Sequence, residues 1–233
     1  MSSGDLEGVK MTMQAGDFAS TIDHTYLKIH RSDAEVKRLC FEAAQHHFAS
    51  VAVFPVAVPL AASMLKGTDV EVCVALGFHL GAYPPELKAF ETEDAIKKGA
   101  TEVDLVMNVA AAKAGEWDLL KEEFRLFRDA AGDAIAKIIL ETCLLTDDEK
   151  KKACEIAVEA RLDYVKTSTG YKDGATVPDV KLMYETVAPD LKVKASGGIR
   201  TLDDALAMID AGASRLGTSA GVALIEAFNE RFG

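Results

Sequence analysis

The chain has 233 residues, of which 49% are hydrophobic, enough to bury a large core in one domain. It carries 26 Lys and Arg against 37 Asp and Glu, a formal net charge of −11, with no block of like charge. This balance argues against nucleic acid or an anionic membrane as the main partner. An anionic small molecule stays compatible with it, because a few lysines in a cleft can dominate the local field.

The N-terminal stretch is polar and lacks the apolar core of a signal peptide. We expect a short tail over residues 1–19 and one domain over residues 20–233. The four cysteines are widely spaced and show no metal-ligand spacing: Cys40, Cys73, Cys143 and Cys154. We expect reduced, mostly buried thiols in a cytoplasmic protein.

One uncharged segment, Phe48 to Leu65, is close in length to a membrane span. Pro55 and Pro59 would interrupt a helix begun at Phe48. The sequence therefore predicts a buried strand at Val51 to Phe54 and a new helix near Val56.

Short β-branched apolar runs alternate with longer amphipathic stretches, the pattern of a parallel sheet with helical crossovers. The predicted strands are Ser20–Ile22, Ser50–Val53, Glu71–Leu76, Glu102–Met107, Ala136–Leu140, Asp163–Val165, Lys192–Ala195 and Ser214–Leu216. Eight βα units without a break favour a single-domain (β/α)8 TIM barrel. A flavodoxin-like or Rossmann sheet is the alternative, although no Gly-x-Gly-x-x-Gly follows the first strand.

Helix boundaries support the same succession of elements. Capping boxes or close approximations to them predict helix starts at Ser32, Thr146 and Thr201. Gly99 and Gly212 each lie just before a predicted strand and predict the ends of two helices.

Active sites of such barrels lie at the carboxyl ends of the strands, so polar residues there are the candidates. They are Asp23 after the first strand, Asp104 in the fourth, Glu141 at the end of the fifth, Lys166 at the end of the sixth and Lys194 in the seventh.

Lys166 and Lys194 come from neighbouring predicted strands. Burial and repulsion between two ammonium groups lower the pKa of one of them, leaving a neutral amine that can attack an aldehyde. Each lysine alone is also compatible with a strand-end lysine that reaches solvent. Asp104 favours the first interpretation: strand alternation puts it on one face with Glu102, and a carboxylate inside the barrel needs a partner such as an ammonium.

Glycine-rich loops follow the last two strands, at residues 196–200 and 217–221. Their backbone N–H groups, at the start of a helix, are suited to a phosphate, which Arg200 could reinforce. The histidines lack ligand spacing, so we expect no metal and no cofactor. There is no Gly-x-Ser-x-Gly nucleophile elbow. The sequence thus predicts metal-free covalent chemistry.

Five motifs between about residues 21 and 223 resemble those of the deoxyribose-phosphate aldolases, class I aldolases on a (β/α)8 barrel. The motifs are Ile22–Lys28, Gly99–Asn108, Lys137–Thr142, Val165–Tyr171 and Val193–Arg200. The resemblance implies reversible cleavage of 2-deoxy-D-ribose 5-phosphate into acetaldehyde and D-glyceraldehyde 3-phosphate.

The resemblance also implies residue roles. Lys166 would form the imine, Asp104 and Lys194 would shuttle protons, and Asp23 would support this relay. The phosphate would be held by Thr169, Gly170, Gly197, Gly198 and Ser219. The expected partners are small-molecule sugar phosphates and aldehydes and a second copy of the chain, in a homodimer or higher homo-oligomer.

The chain departs from the family pattern at Ala52, Phe54, His79, Tyr83 and Ala220, and it lacks the tyrosine-ended tail of some members. Ala52 removes a thiol that can react with aldehydes, so better tolerance of acetaldehyde is expected. Two alternatives stay open: a catalytically silent sugar-phosphate-binding barrel, and a related imine-forming aldolase with a different aldehyde preference.

Overall fold

A computed structural model describes residues 13–30 and 32–233. Eight parallel strands form a closed barrel in sequence order, and the last strand pairs with the first. The strands are β1 Ile22–Tyr26, β2 Ser50–Val53, β3 Glu71–Leu76, β4 Glu102–Val106, β5 Ile135–Ile139, β6 Tyr164–Lys166, β7 Lys192–Ser196 and β8 Ala213–Thr218. The predicted (β/α)8 barrel is confirmed.

Helices connect successive strands and cover the barrel. They are α1 Ala15–Ala19, α2 Asp33–His46, α3 Val58–Leu65, α4 Pro85–Lys97, α5 Val109–Ala114, α6 Trp117–Ala131, α7 Asp147–Glu159, α8 Val177–Val187, α9 Leu202–Asp210 and α10 Gly221–Phe232. Short 3-10 turns at Pro55–Ala57 and Thr142–Leu144 follow β2 and β5.

The first strand differs from its prediction. Ser20–Ile22 was expected, with Asp23 just after it, whereas β1 runs from Ile22 to Tyr26 and contains Asp23. The polar side chains of Asp23 and His24 both have partners within the folded barrel. Asp23 meets Lys194 inside the barrel, and His24 meets Glu42 on α2 at 2.8 Å. Buried polar groups are tolerated in a strand when they have such partners.

The predicted helix starts are confirmed, because Ser32, Thr146 and Thr201 each accept a hydrogen bond from the backbone N–H three residues on. The uncharged segment is also divided as expected, since β2 is followed by the 3-10 turn and then by α3. Within residues 13–30 and 32–233, none of the helices has the length and apolar character needed to cross a bilayer.

The folded unit begins before residue 20. Phe18 in α1 is fully buried and stacks on Phe228 of α10, with ring centroids 4.7 Å apart. This apolar contact packs α1 against α10, so part of the expected tail belongs to the core, while residues 1–12 lie outside the described residues. Three of the four cysteines are buried, Cys143 is exposed, and all four are free, in agreement with the expectation of mostly buried thiols.

Candidate active site

Three predicted residues meet inside the barrel. Lys166 ends β6 and Lys194 lies beside it in register on β7. The Nζ atoms of both lysines donate to Oδ2 of Asp104, each at 2.7 Å. All three side chains are at least 95% buried. The close approach expected from the sequence is therefore present, with the carboxylate between the two amines.

The other oxygen of Asp104 has its own partners. Oδ1 accepts a hydrogen bond from Nζ of Lys137 at 3.1 Å and another from Sγ of Cys73 at 3.1 Å. Lys137 also pairs with Glu102 at 2.5 Å. Asp104 is thus held on both sides, with one oxygen turned to Lys166 and Lys194 and the other anchored to β3 and β5.

Asp23 is joined to the same cluster through β7 and β8. One of its oxygens lies 2.5 Å from Nζ of Lys194, and the other accepts from Arg215 at 2.5 Å. Arg215 in turn donates to Glu102 at 3.1 Å. The cluster therefore draws charged side chains from β1, β4, β5, β6, β7 and β8.

The two active-site lysines differ in proton affinity. Burial lowers the pKa of Lys166; the carboxylate of Asp104 opposes this effect, and the charge of Lys194 adds to it. Burial alone would also lower the pKa of Lys194, but Asp104 and Asp23 together raise it above its usual value. Lys166 is therefore the amine that is more easily neutral, and Lys194 is the one that keeps its proton.

Asp104 stays ionised in this setting. Burial by itself would raise its pKa, but Lys137, Lys166 and Lys194 hold the pKa well below the usual value of 3.8. A carboxylate surrounded by three amines can accept a proton transiently and return it. The arrangement is suited to stabilising a cation that forms on Lys166.

A cavity of about 440 Å³ lies at the mouth of the barrel and is lined by Lys166. All five predicted phosphate-binding residues line the same cavity: Thr169, Gly170, Gly197, Gly198 and Ser219. Among the described residues, the backbone N–H groups of Gly197, Gly198 and Ser219 donate to no other protein group. These free donors and the lysine therefore face a shared space.

Gly197 is required by both its backbone and its surroundings. Its φ of +84° is a conformation that side chains rarely adopt, and a Cβ here would lie 2.9 Å from Cα of Gly174 and 3.0 Å from Cα of Gly170. The three glycines pack backbone against backbone, which holds the loops after β6 and β7 together.

Glu141, the remaining strand-end candidate, does not contact the lysines. It follows β5 in a left-handed conformation, and Oε2 accepts a hydrogen bond from the hydroxyl of Thr169 at 2.6 Å. It thus lies behind Thr169, which lines the cavity, and holds the hydroxyl of that residue.

Aromatic side chains from three loops meet at the mouth. Phe78 contacts Phe54 and Tyr171 edge to face, and the His79 ring stacks on Tyr171 with centroids 4.3 Å apart. The hydroxyl of Tyr171 donates to the carbonyl of Leu27 at 3.0 Å, which links the loop after β6 to the one after β1. Phe54 and His79, two of the departures from the family pattern, therefore lie in the same aromatic group.

The structure also places the other three departures. Tyr83 lines a second cavity of about 260 Å³ together with Phe78, Leu87, Lys88 and Glu91. Ala52 is buried within β2, and Ala220 precedes α10, where its N–H donates to Thr218. Tyr83 therefore adjoins the aromatic group at Phe78.

Lys137, Arg215 and Cys73 were missed as site residues. Lys137 begins the motif Lys137–Thr142 and lies in an apolar strand. A lysine in such a position needs a buried partner, so the sequence could have identified it as a site residue. Arg215 and Cys73 had no comparable signal, because their partners are supplied by strands distant in sequence.

A parallel (β/α)8 barrel that buries an amine of lowered pKa beside a carboxylate, below a cavity lined by glycine loops, has the construction of an imine-forming aldolase. Comparison with known proteins gives the family. Residues 12–227 match the model described as DeoC/LacD family aldolase. The chain belongs to this family.

Individual relatives agree with the assignment. The chain is 54% identical to the deoxyribose-phosphate aldolase of Geobacillus sp. (strain WCH70) over 212 residues, 90% of this chain and 95% of the relative. It is also 54% identical to that of Bacillus subtilis (strain 168), over 91% of this chain and 96% of the relative. The tetrameric deoxyribose phosphate aldolase from Aeropyrum pernix superimposes with a TM-score of 0.90 at 31% identity, covering 99% of this chain and 100% of that one.

Proposed function

We propose that this protein reversibly cleaves 2-deoxy-D-ribose 5-phosphate into acetaldehyde and D-glyceraldehyde 3-phosphate through an imine on Lys166. The observation that carries the proposal is the shared contact of Lys166 and Lys194 with one oxygen of Asp104, at 2.7 Å each, at the floor of the cavity. The curated relatives that bear this activity as their name support the substrate.

Imine formation begins at Lys166. The neutral amine attacks the C1 aldehyde of the open-chain sugar, and loss of water from the resulting carbinolamine gives an iminium ion. Lys194, whose pKa is raised, donates the proton that the departing hydroxyl needs. Asp104, 2.7 Å from Nζ of Lys166, stabilises the positive charge that appears there.

Carbon–carbon cleavage follows from the electron demand of the iminium ion. The C3 hydroxyl loses its proton to the relay, the C2–C3 bond breaks, and its electrons form an enamine on Lys166 while C3 becomes the aldehyde of glyceraldehyde 3-phosphate. Protonation of the enamine at C2 and hydrolysis of the iminium ion then release acetaldehyde. Asp23 supports the relay by holding Lys194 from the side opposite Asp104.

Substrate binding relies on the glycine loops. The free N–H groups of Gly197, Gly198 and Ser219 offer donors to a phosphate dianion, and Thr169 and Gly170 complete the wall of that part of the cavity. With the phosphate held there, the reacting end of the sugar extends toward Lys166.

The proposal is tested by coupled assay of glyceraldehyde 3-phosphate release from the sugar phosphate. The wild-type protein is expected to turn over, and Lys166→Arg is expected to lose activity because its guanidinium stays protonated. Lys192→Arg, an exposed position on the same strand as Lys194, serves as the control and keeps full activity. Turnover that survives in Lys166→Arg contradicts the imine mechanism.

A related aldolase activity on other aldehydes is the second candidate. Phe54, Phe78, His79 and Tyr171 form a mostly aromatic wall at the mouth, which favours apolar aldehydes over polyhydroxylated ones. Comparing rates on phosphorylated and unphosphorylated deoxyribose separates the two. A strong preference for the phosphate ester supports the first candidate.

A homo-oligomer is proposed as the working state. Support comes from the Aeropyrum pernix relative, which is described as tetrameric, and from exposed apolar side chains on α4, where Leu87 is 56% and Phe90 68% exposed. Light scattering at micromolar concentration tests this, and replacing Phe90 with Glu is expected to shift the protein toward monomer if α4 lies in the interface.

A further inference from the structure

The charged side chains around Asp104 form a closed ring in which positive and negative groups alternate. Each contact is an ion pair of 3.1 Å or less. In order, the ring runs Asp104, Lys137, Glu102, Arg215, Asp23, Lys194 and back to Asp104. It contains three carboxylates and three cations, so it is neutral as a unit.

Lys166 stands outside this ring. Its one ion pair among the described residues is with Asp104 Oδ2, the oxygen that Lys194 already uses. Lys194 and Lys137 each have two carboxylates, whereas Lys166 shares one. A proton on Lys166 therefore adds an unmatched positive charge to a buried, otherwise neutral unit, which is costly in a low-dielectric interior.

This deepens the proposed function, because it explains which of the buried amines becomes the nucleophile. We propose that Glu102 and Arg215 are positioning residues that set how readily the amine of Lys166 takes up a proton, through the charge balance of the ring: Glu102 favours the protonated amine and Arg215 the neutral one. Neither residue forms an ion pair with Lys166 within the described part of the chain. They act on it through Asp104, by way of Lys137 on one side and of Asp23 and Lys194 on the other.

Further titratable groups lie close to the ring on neighbouring strands. Cys73 on β3 donates its thiol hydrogen to Asp104, and burial raises its pKa to about 12, so it stays neutral. Tyr164 on β6 lies with its ring 5.9 Å from Nζ of Lys137. Strand β2, Ser50–Val53, contributes no charged group.

Opposite changes of ring charge therefore have opposite effects on Lys166. Glu102→Gln removes a negative charge and leaves the ring positive, so protonation of Lys166 becomes harder. Arg215→Gln removes a positive charge and leaves the ring negative, so protonation becomes easier. The double variant Glu102→Gln with Arg215→Gln has two carboxylates and two cations, and its balance is restored.

The test measures the pH dependence of labelling at Lys166 with formaldehyde and cyanoborohydride, quantified by peptide mass. Formaldehyde modifies neutral amines without any sugar cleavage, so the readout stands even for a protein that fails the aldolase assay. Relative to wild type, the midpoint is expected about one pH unit lower in Glu102→Gln and about one unit higher in Arg215→Gln. The double variant is expected near the wild-type midpoint.

A purely structural role predicts something different. Loss of packing or order would shift both single variants the same way, and the double variant would be the worst of the three. Either of those outcomes, or unshifted midpoints, overturns the proposal. Arg215→Lys keeps the charge and is expected to keep the wild-type labelling midpoint. If one of the single variants does not fold, this variant and the double variant still distinguish a charge effect from a structural one.

Discussion

Lys166 and Lys194 donate to the same carboxylate oxygen at the same distance, 2.7 Å, yet their pKa values move in opposite directions. Burial acts on both, but Lys194 has a second carboxylate, Asp23, at 2.5 Å, and Lys166 has none. One missing ion pair therefore separates the proposed nucleophile from the proposed proton donor.

Replacing Lys194 with Met is expected to slow turnover by about 10²- to 10⁴-fold, because the proton donor is lost. The acidic limb of the rate–pH profile should also move to higher pH, since the charge that helps to lower the pKa of Lys166 is gone. The measurement is kcat against pH, with Lys192→Met as the control on the same strand. Equal impairment of Lys192→Met would indicate a general disturbance of β7 rather than the loss of a proton donor.

Gly197→Ala is expected to reduce kcat/KM for the phosphorylated sugar by roughly 10- to 100-fold while changing the rate on unphosphorylated deoxyribose little. The new Cβ would press on Gly174 and Gly170 and displace the loop after β7 that is proposed to hold the phosphate. Gly67→Ala is a matched control, because Gly67 has the same φ of +84° but nothing within 4 Å of a Cβ. Equal losses on both substrates would argue against a phosphate site at this loop.

Stability in acid is expected to depend on Asp23 and Asp104. Burial alone would raise their pKa values, but the neighbouring cations hold both below the usual 3.8. A depressed folded-state pKa contributes stability above the unfolded-state value, and this contribution is lost as the pH falls below about 4. Urea unfolding between pH 6 and pH 3 measures it, and Asp23→Asn should show a shallower decline than wild type. An unchanged slope in that variant contradicts the assignment.

Phe18→Ala is expected to destabilise the fold by about 3–5 kcal/mol, because a fully buried ring and its stack on Phe228 are lost. Activity per folded molecule should be unchanged, since α1 lies outside the active-site cavity. Phe41→Ala, at a position 66% exposed on α2, is the comparison and is expected to cost little. An equal loss of stability in both variants would argue against the assignment of Phe18 to the core.

The sequence predicted the barrel and the central residues because both leave local signals. Strand and helix patterns repeat eight times, and lysines in apolar strands next to an inward carboxylate are conspicuous. The first strand was misplaced because Asp23 and His24 have a loop-like composition, and only their partners on other elements make them compatible with a strand.

Local sequence patterns could not predict the ring of ion pairs, for a similar reason. Glu102 and Arg215 are 113 positions apart, and their contact depends on the register and closure of the whole barrel. The aromatic wall likewise joins loops after β2, β3 and β6, whose approach is a property of the fold. The sequence identified Phe54 and His79 as departures from the family pattern, but it did not show that the two side chains lie close together.

Trapping the imine shows whether Lys166 is the nucleophile. The protein is incubated with 2-deoxy-D-ribose 5-phosphate, reduced with borohydride, digested and mapped by mass. A reduced adduct is expected on the peptide that carries Lys166, and none on the peptide that carries Lys194. An adduct on Lys194, or cleavage of the sugar with Lys166 left unmodified, would contradict this role for Lys166.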